Sequence, residues 1–390
     1  MDQPNFSLNS IPEIRFGPGR IGMIAKDALA VGDADRPVVL IVDAALRELG
    51  VVAAVEATLK AAGADLAVFS DIAGEPKQKQ VEAATELVRG KDAGLVIAMG
   101  GGSAMDIGKI AATVARTPDG PADFAMQGKP LPKDTVPKIC IPTTSGTGSE
   151  FSSTNIMTNT AGKKVWVWGG ETKPQRVILD PELTLTLPPN LTAWTGLDAF
   201  SHAFESCTNM NRHPGNDFYA HHALTLISTT LETAVKEPDN LGARADMLLG
   251  SAYGGIALDN CSAAMAHNIS HALAALAPVH HGLATGLALG VILDWQVETD
   301  TGPFAAAAAA CGLGHDARAL PGWYSDFLTR CGVKRKLPDA FKAFSGSDLA
   351  AEMRTPETTP MRDVTARHVG EDDVERFAAA MMAMSRGNTE

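Results

Sequence analysis

Cysteine and positive charge are both scarce in this 390-residue chain, which has five cysteines and 33 Lys and Arg residues against 45 Asp and Glu. The odd cysteine count, without a CxxC pair, argues against a disulfide framework and favours a reducing compartment. The formal net charge of −12 argues against a nucleic-acid footprint and against binding to an anionic membrane surface.

Long apolar runs are also missing. The longest, "LATGLALGVIL" at 283–293, is too short to span a bilayer and fits a buried helix. The first residues, "MDQPNFSLNSIPEIRFG", lack the basic and apolar regions of a secretory signal peptide. We therefore expect a soluble, cytoplasmic protein with no membrane or nucleic-acid partner.

Between residues 36 and 182 short apolar runs alternate with segments of helical spacing. "PVVLIVD", "DLAVFSD", "GLVIAMG" and "PKICIP" are predicted strands, and "VVAAVEATLKAAG" is a predicted helix. This alternation predicts a parallel sheet covered by helices on both faces. After Pro188-Pro189 the strand pattern stops, and we predict an α/β domain at 1–185 and an all-α domain at 186–390.

The glycine-rich segments differ in their context. "GPGRIG" at 17–22 is a literal GxGxxG, but a proline and two charges precede it, so we interpret it as an ordinary turn. "MGGGSAMDIGK" follows a predicted strand and enters a helix, and "PTTSGTGSE" repeats the strand-to-glycine pattern. Both favour a dinucleotide site. Asp43 ends the first strong strand and is either a ribose-binding carboxylate, favouring NAD over NADP, or a helix N-cap.

Histidine is concentrated in the second half, where eight of the ten residues lie between 202 and 281. In "GLDAFSHAFE" Asp198 and His202 share one helix face, and in "HNISH" His267 and His271 do the same. "HHG" adds His280 and His281. One carboxylate and several imidazoles in an apolar segment predict a site for a first-row divalent metal.

These motifs together resemble those of the iron-containing (group III) alcohol dehydrogenases over nearly the whole chain. The matching pieces are "RFGPGRIG", "GGGSAMDIGK", "PTTSGTGSE", "LDPELTLTLP", "GLDAFSHAFE" and "AHNISHALAALAPVHHG". The resemblance implies a Rossmann-like N-terminal domain and a helical C-terminal domain, an architecture shared with dehydroquinate synthase. It also implies NAD-linked oxidoreduction of a small primary alcohol or aldehyde, and a homodimer.

The resemblance assigns the site residues one by one. The metal ligands fall on Asp198, His202, His267 and His281, and His271 matches a histidine near the nicotinamide and the substrate oxygen. His280 matches no family role. The cofactor residues are Asp43, Gly101, Gly102, Ser103, Asp106, Thr143, Thr144, Ser149 and Lys164.

The chain also departs from the family pattern. "HNISH" replaces the usual "HGMAH", so that Asn268 stands in place of a glycine, and "TAR" stands near the C-terminus where "NPR" is usual. The expected metal is Fe²⁺, although intrinsic affinity favours Zn²⁺ in the isolated protein. Pocket positions fall on Ser152, Thr154, Leu258 and Met361, beside Arg362. Arg362 is either a binding group for an anionic aldehyde or a solvated surface residue.

Two other functions remain open at this level. A non-redox cyclase of the dehydroquinate synthase type would use NAD transiently and would need basic residues around a phosphate-bearing substrate. A metal- or nucleotide-binding protein without turnover would keep the ligands but lack an open coordination position and His271.

Overall fold

The computed structural model describes residues 5–299 and 302–387, which divide into two compact units. The α/β unit comprises 10–144 and 149–186, and the helical unit comprises the described residues of 5–9, 145–148, 187–299 and 302–387. No helix within the described ranges is long and apolar enough to cross a membrane. All five cysteines are buried and free.

The α/β unit is built on a parallel sheet, as the alternating pattern predicts. Its strands are β1 (Glu13–Phe16), β2 (Val38–Val42), β3 (Leu66–Phe69), β4 (Leu95–Gly100), β5 (Lys138–Pro142) and β8 (Arg176–Leu179), with an antiparallel hairpin of β6 (Thr154–Thr158) and β7 (Lys164–Trp168). The α-helices are α1 (Ile24–Val31), α2 (Ala44–Glu48), α3 (Val51–Ala61), α4 (Gln78–Gly90) and α5 (Gly102–Val114), with 3₁₀ turns at Arg20–Met23, Pro121–Gln127, Gly170–Thr172 and Pro181–Thr184.

The strand order is β1-β8-β5-β4-β2-β3, and all neighbouring pairs are parallel. Strands β2, β4, β5 and β8 are buried along their whole length because apolar side chains pack on both faces of the sheet. From β2 the chain passes to β3 on one side and then to β4 on the other. The order therefore reverses between β2 and β4, where ligands bind in open α/β sheets.

The segment "GPGRIG" follows β1, which is a largely exposed edge strand beside β8. The backbone N–H groups of Gly19 and Ile21 donate to the carboxylate of Asp180 at 3.2 and 2.9 Å. A carboxylate of the protein thus occupies the donors that a phosphate would use in a dinucleotide fingerprint. The interpretation of this segment as an ordinary turn is consistent with that contact.

The helical unit contains no strand among its described residues, as predicted after Pro188-Pro189. Helices α6, α7 and α8 pack on one another, and α9 packs against α10 and α13. The bounds are α6 (Pro189–Thr208), α7 (Pro214–Lys236), α8 (Leu241–Cys261), α9 (Met265–Leu276), α10 (His281–Val297), α11 (Pro303–Ala310), α12 (Leu320–Arg330), α13 (Gly346–Met353), α14 (Thr359–Asp363) and α15 (Glu371–Ala383), with 3₁₀ turns at Ala317–Ala319 and Asp339–Ala343.

Candidate metal centre and nucleotide-binding edge

Four side chains from three helices converge inside the helical unit. Asp198 and His202 lie one turn apart on α6, His267 lies on α9, and His281 is the first residue of α10. One ligand atom from each lies within 4.8 Å of the others. The Nε2 atoms of His202, His267 and His281 are 3.8, 3.8 and 3.5 Å from Asp198 Oδ1.

Gly282 permits this convergence, because α10 begins directly against α6. A Cβ atom at Gly282 would lie 2.2 Å from the carbonyl oxygen of Trp194 and 3.0 Å from Asp198 Cβ. The glycine of the "HHG" motif therefore lets His281 approach Asp198.

The second ring nitrogen of each ligand histidine contacts an oxygen, which fixes the ring so that Nε2 faces Asp198. The pairs are His202 Nδ1 with Gly146 O at 3.3 Å, His267 Nδ1 with Glu205 Oε2 at 2.5 Å, and His281 Nδ1 with Ser270 Oγ at 3.0 Å.

Glu205 is a buried carboxylate beside this cluster that the sequence interpretation missed. It is fully buried on α6 and also accepts the backbone N–H groups of Ala264 and Ala266 at 2.9 and 2.6 Å. It therefore connects the helix that carries Asp198 to the first turn of the helix that carries His267. Its sequence signal is an acid three residues after His202 in an apolar helix, where an unpaired carboxylate would be costly.

Burial and neighbouring carboxylates shift the pKa of the buried imidazoles in opposite directions. Burial lowers the pKa of His202, with Asp198 opposing it. At His267 burial also lowers the pKa, but the adjacent Glu205 and then Asp198 outweigh it, so the pKa lies above its ordinary value.

The donor set fits a divalent metal. Asp198 Oδ1 and His267 Nε2 are buried and have no hydrogen-bond partner among the described residues, although both belong to groups that are expensive to bury unpaired. Metal bonds of about 2.0–2.2 Å at tetrahedral angles place ligand atoms roughly 3.3–3.6 Å apart, close to the spacings found. Three imidazoles and one carboxylate suit iron and zinc.

His271 lies outside this ligand set but next to its accessible side. Of the four ligands only His281 is partly exposed, with 27% of its side chain accessible. The His271 ring, also partly exposed, packs edge-on against His281 with ring centroids 5.4 Å apart. His280 precedes α10 and packs on Trp194 at 5.1 Å.

In the α/β unit the predicted cofactor residues follow the carboxyl ends of adjacent strands. Asp43 follows β2, Gly101 to Ser103 follow β4, and Thr143 and Thr144 follow β5. Gly101, Gly102 and Ser103 are only half-buried, whereas the rest of α5 is buried. The first turn of α5 carries no acidic residue and no side-chain cap, so its N–H groups favour an anion.

Asp43 occupies an N-cap position before α2 but makes no capping hydrogen bond. Its Oδ2 instead accepts the backbone N–H of Gly101 at 3.0 Å. Burial raises the pKa of Asp43, and the Gly101 bond opposes that shift. The carboxylate therefore joins the ends of β2 and β4, at the reversal of strand order.

Asp106 and Ser149 connect the two glycine-rich loops. The Ser149 hydroxyl donates to Asp106 Oδ1, and the Ile156 N–H donates to Oδ2 at 3.0 Å. The buried Lys109 donates to the carbonyl oxygens of Ser149 and Ser152 at 2.5 and 2.9 Å. Lys164 lies on the β6–β7 hairpin, where its Nζ is 2.7 Å from Glu75 Oε1.

The predicted pocket residues fall in both units. In the α/β unit, Ser152 Oγ accepts the N–H of Thr154 at 3.0 Å. In the helical unit, Leu258 lies near the end of α8, and Met361 and Arg362 lie on α14. The Arg362 side chain is 21% exposed, and among the described residues its one ion-pair partner is the adjacent Asp363, at 3.4 Å. This exposure does not fit a fully solvated surface arginine.

Comparison with known proteins gives matches over both units. The family model for iron-containing alcohol dehydrogenase matches residues 12–181, and that for the C-terminal part of the Fe-containing alcohol dehydrogenase family matches 192–388. The chain is 33% identical to long-chain-alcohol dehydrogenase 1 of Geobacillus thermodenitrificans, over 73% of this chain and 72% of that one. It is 31% identical to 1,3-propanediol dehydrogenase of Citrobacter freundii, over 78% and 79%.

Among solved structures, the chain is similar to the sulfoacetaldehyde reductase of Bifidobacterium kashiwanohense in complex with NAD⁺. The TM-score is 0.88 at 29% identity, with 97% of this chain and 99% of that chain covered.

Proposed function

The chain belongs to the iron-containing alcohol dehydrogenase family, and from this premise we propose which of its residues perform the reaction. As a member it is an oxidoreductase that interconverts alcohols and aldehydes with a nicotinamide cofactor. The proposal concerns the metal ligands, the cofactor contacts, the proton-handling group and the substrate class.

Asp198, His202, His267 and His281 hold the metal, which is Fe²⁺ in keeping with the family and can be Zn²⁺ in the isolated protein. The observation that carries this assignment is the convergence of three oriented Nε2 atoms on one buried carboxylate oxygen. A divalent ion held there would supply Lewis acidity toward an alcohol hydroxyl, and a bound nicotinamide would supply the hydride chemistry.

The cofactor contacts are Asp43, Gly101, Gly102, Ser103, Thr143 and Thr144, with Asp106 and Ser149 shaping the loops and Lys164 near the nicotinamide ribose. Because Asp43 uses Oδ2 for Gly101, Oδ1 is left for a ribose hydroxyl. A 2′-phosphate would meet a carboxylate at this place, so NAD is preferred over NADP.

His271 handles the substrate proton. It is partly exposed and packs on His281, the ligand at the accessible side of the cluster. During alcohol oxidation its imidazole takes the hydroxyl proton, directly or through water, and during aldehyde reduction it returns that proton.

The substrate is a short aldehyde with a polar or anionic group, or the corresponding primary alcohol. Arg362 supports this class because its side chain is mostly covered and, among the described residues, forms an ion pair only with a neighbouring, largely exposed aspartate. An incompletely paired guanidinium is suited to a carboxylate or sulfonate. The similar solved structure is a sulfoacetaldehyde reductase.

The reaction is tested by NADH oxidation at 340 nm with the Fe²⁺-loaded protein, using butanal, succinic semialdehyde and sulfoacetaldehyde, and by repeating the assay with NADPH. We expect steady turnover, a preference for NADH, and higher kcat/KM for the two anionic aldehydes. Absence of turnover with any aldehyde or alcohol would contradict the proposed reaction and favour a non-catalytic binding protein.

Arg362→Ala tests the substrate class separately. We expect kcat/KM to fall by about tenfold or more for the anionic aldehydes, the loss of one charge-assisted contact, with butanal affected little. If butanal is preferred by tenfold in the wild type, or if the substitution lowers all three values equally, the anionic-substrate proposal is wrong.

The organisation of the protein is also part of the proposal. We place the domain boundary between 1–185 and 186–390 and infer a homodimer from the family resemblance. The five unpaired cysteines support a cytoplasmic location. Light scattering at several concentrations measures the oligomeric state, and a monomer throughout would contradict the dimer.

A further inference from the structure

Asn268 is a buried polar residue inside the helix that carries two of the site histidines. It follows the ligand His267 on α9, lies three residues before His271, and is completely buried. A small apolar residue would fit a packed helix at lower cost, because a buried amide needs hydrogen-bond partners.

The amide of Asn268 binds a second segment of the helical unit. Nδ2 donates to the carbonyl oxygen of Met353, the last residue of α13, and to that of Thr358, just before α14, each at 3.0 Å. The reverse amide orientation would set an oxygen against two carbonyl oxygens, so these contacts fix it. Within the part of the chain that the structure describes, Oδ1 accepts no hydrogen bond, so the two Nδ2 hydrogen bonds are the polar contacts of this amide.

The segment 353–367, which we name the strap, is held at further points. The carbonyl oxygen of Val364 accepts the N–H of Met210 at 2.8 Å. The Arg367 guanidinium donates to Trp295 O, lies 2.7 Å from Glu298 Oε2, and stacks 4.5 Å from the Trp295 ring centroid. Asn268 therefore binds the first part of the strap, and the contacts of Val364 and Arg367 fix its last part.

The middle of the strap lies against the metal-ligand helix. Helix α14 occupies the strap between its two anchors and packs on α9. On α9, residues 268, 271 and 272 share one face because side chains three and four positions apart are neighbours. The strap therefore docks on the face of α9 that also presents His271.

We propose that Asn268 is a positioning residue that fixes the strap beside His271 and thereby sets the substrate-side wall of the metal centre. The inference rests on the proposed function for its catalytic consequence, but the anchoring is a property of the helical unit alone. Met361 and Arg362, the candidate substrate contacts, lie in the middle of the strap, so their placement depends on this anchor.

The test compares Asn268→Ala and Asn268→Leu with Asn216→Ala. Alanine removes both donors at a helix position that tolerates it, and leucine restores most of the volume without a donor. Asn216 is a matched control: it too is fully buried, its Nδ2 donates to Ser206 O at 3.2 Å, and its Oδ1 accepts no hydrogen bond. Its amide contacts α6 and not the strap.

Amide hydrogen exchange and kinetics give independent readouts. Both Asn268 variants should exchange about tenfold or more faster within 354–363, with bound metal and the KM for NADH unchanged. The KM for the aldehyde should rise about tenfold, with kcat changing less than about threefold. Asn216→Ala should change neither the strap exchange nor the aldehyde KM.

Unchanged exchange in the strap would overturn the anchor, whether or not the protein turns over any aldehyde. Faster exchange with an unchanged aldehyde KM would overturn the positioning role while keeping the anchor. Wild-type behaviour of Asn268→Leu would assign the effect to packing and contradict a role for the hydrogen bonds.

Discussion

At the scale of single residues, Glu205 shows how much of a metal centre lies behind its ligands. Its carboxylate forms a hydrogen bond with His267 Nδ1 and accepts hydrogen bonds from two backbone N–H groups at the start of α9. We expect Glu205→Gln to weaken metal binding about 10–100-fold, the usual cost of losing a group that orients a ligand. Competition with a chelator of known affinity measures this change. Metal affinity equal to that of the wild type would show that His267 is oriented without Glu205.

Glu150 is a buried residue whose two carboxylate oxygens have no hydrogen-bond partner in the described ranges. Burial raises its pKa to about 7 from 4.5. Between these values the unfolded chain ionises while the folded protein stays protonated, so stability falls as pH rises through this window. At about 1.4 kcal/mol per unit of pKa, the loss above pH 7 is roughly 3 kcal/mol.

Glu150→Gln removes this titration, whereas any cost of burying the amide is the same at every pH. Its melting temperature relative to the wild type should therefore be higher at pH 8 than at pH 5. Thermal unfolding of both proteins at the two pH values measures the difference. An equal difference at pH 5 and pH 8 would mean that Glu150 does not have a raised pKa.

At the scale of elements, the junction of β4 and α5 depends on Gly100. Its φ is +151°, and a Cβ atom there would lie 2.2 Å from Asp43 Oδ2. Gly100→Ala should therefore break the contact of Asp43 with Gly101 and reduce NAD affinity by at least about tenfold. Calorimetric titration with NAD measures this affinity. Gly22→Ala is the control, since a Cβ atom there meets nothing within 4 Å. Equal NAD affinities for the two variants would contradict the proposed cofactor site at the ends of β2 and β4.

The main elements could be predicted because their signals are local. Buried strands have continuous β-branched runs in the sequence. The predicted segments 37–43 and 51–63 extend at most about two residues beyond the observed ends of β2 and α3. The β6–β7 hairpin was not predicted: its alternating strands are short, and the surrounding pattern favours parallel pairing. Strand β1 was also missed because it is largely exposed and depends on pairing with β8, far away in the chain.

The site was predictable to the extent that it repeats a family motif. The spacing in "GLDAFSHAFE" and "HNISH…HHG" predicted a metal site, the family resemblance assigned its four ligands, and the structure brings those four side chains together. Glu205 stands inside a quoted motif, yet its role depends on bonds to residues about 60 positions away. Asn268 was visible as a departure from the family, but its partners Met353 and Thr358 could not be inferred from sequence.

At the scale of the whole molecule, the two units divide the chemistry. The helical unit contains all four proposed metal ligands, and the α/β unit contains every proposed cofactor residue. Burial raises the pKa of Cys140 to about 12 and acts similarly on the other four thiols, so none is suited to nucleophilic chemistry. These thiols therefore have no part in the proposed reaction.

The most direct test of this account is metal analysis of His267→Ala together with its NADH-dependent aldehyde reduction. His267 supplies one of the four ligand atoms and is held by Glu205. We expect the wild type, stripped by a chelator, to recover activity when Fe²⁺ is added. We expect His267→Ala, folded as judged by circular dichroism, to bind no stoichiometric metal and to show no turnover. Full metal occupancy in this variant, or undiminished activity in the stripped wild type, would contradict the central claim.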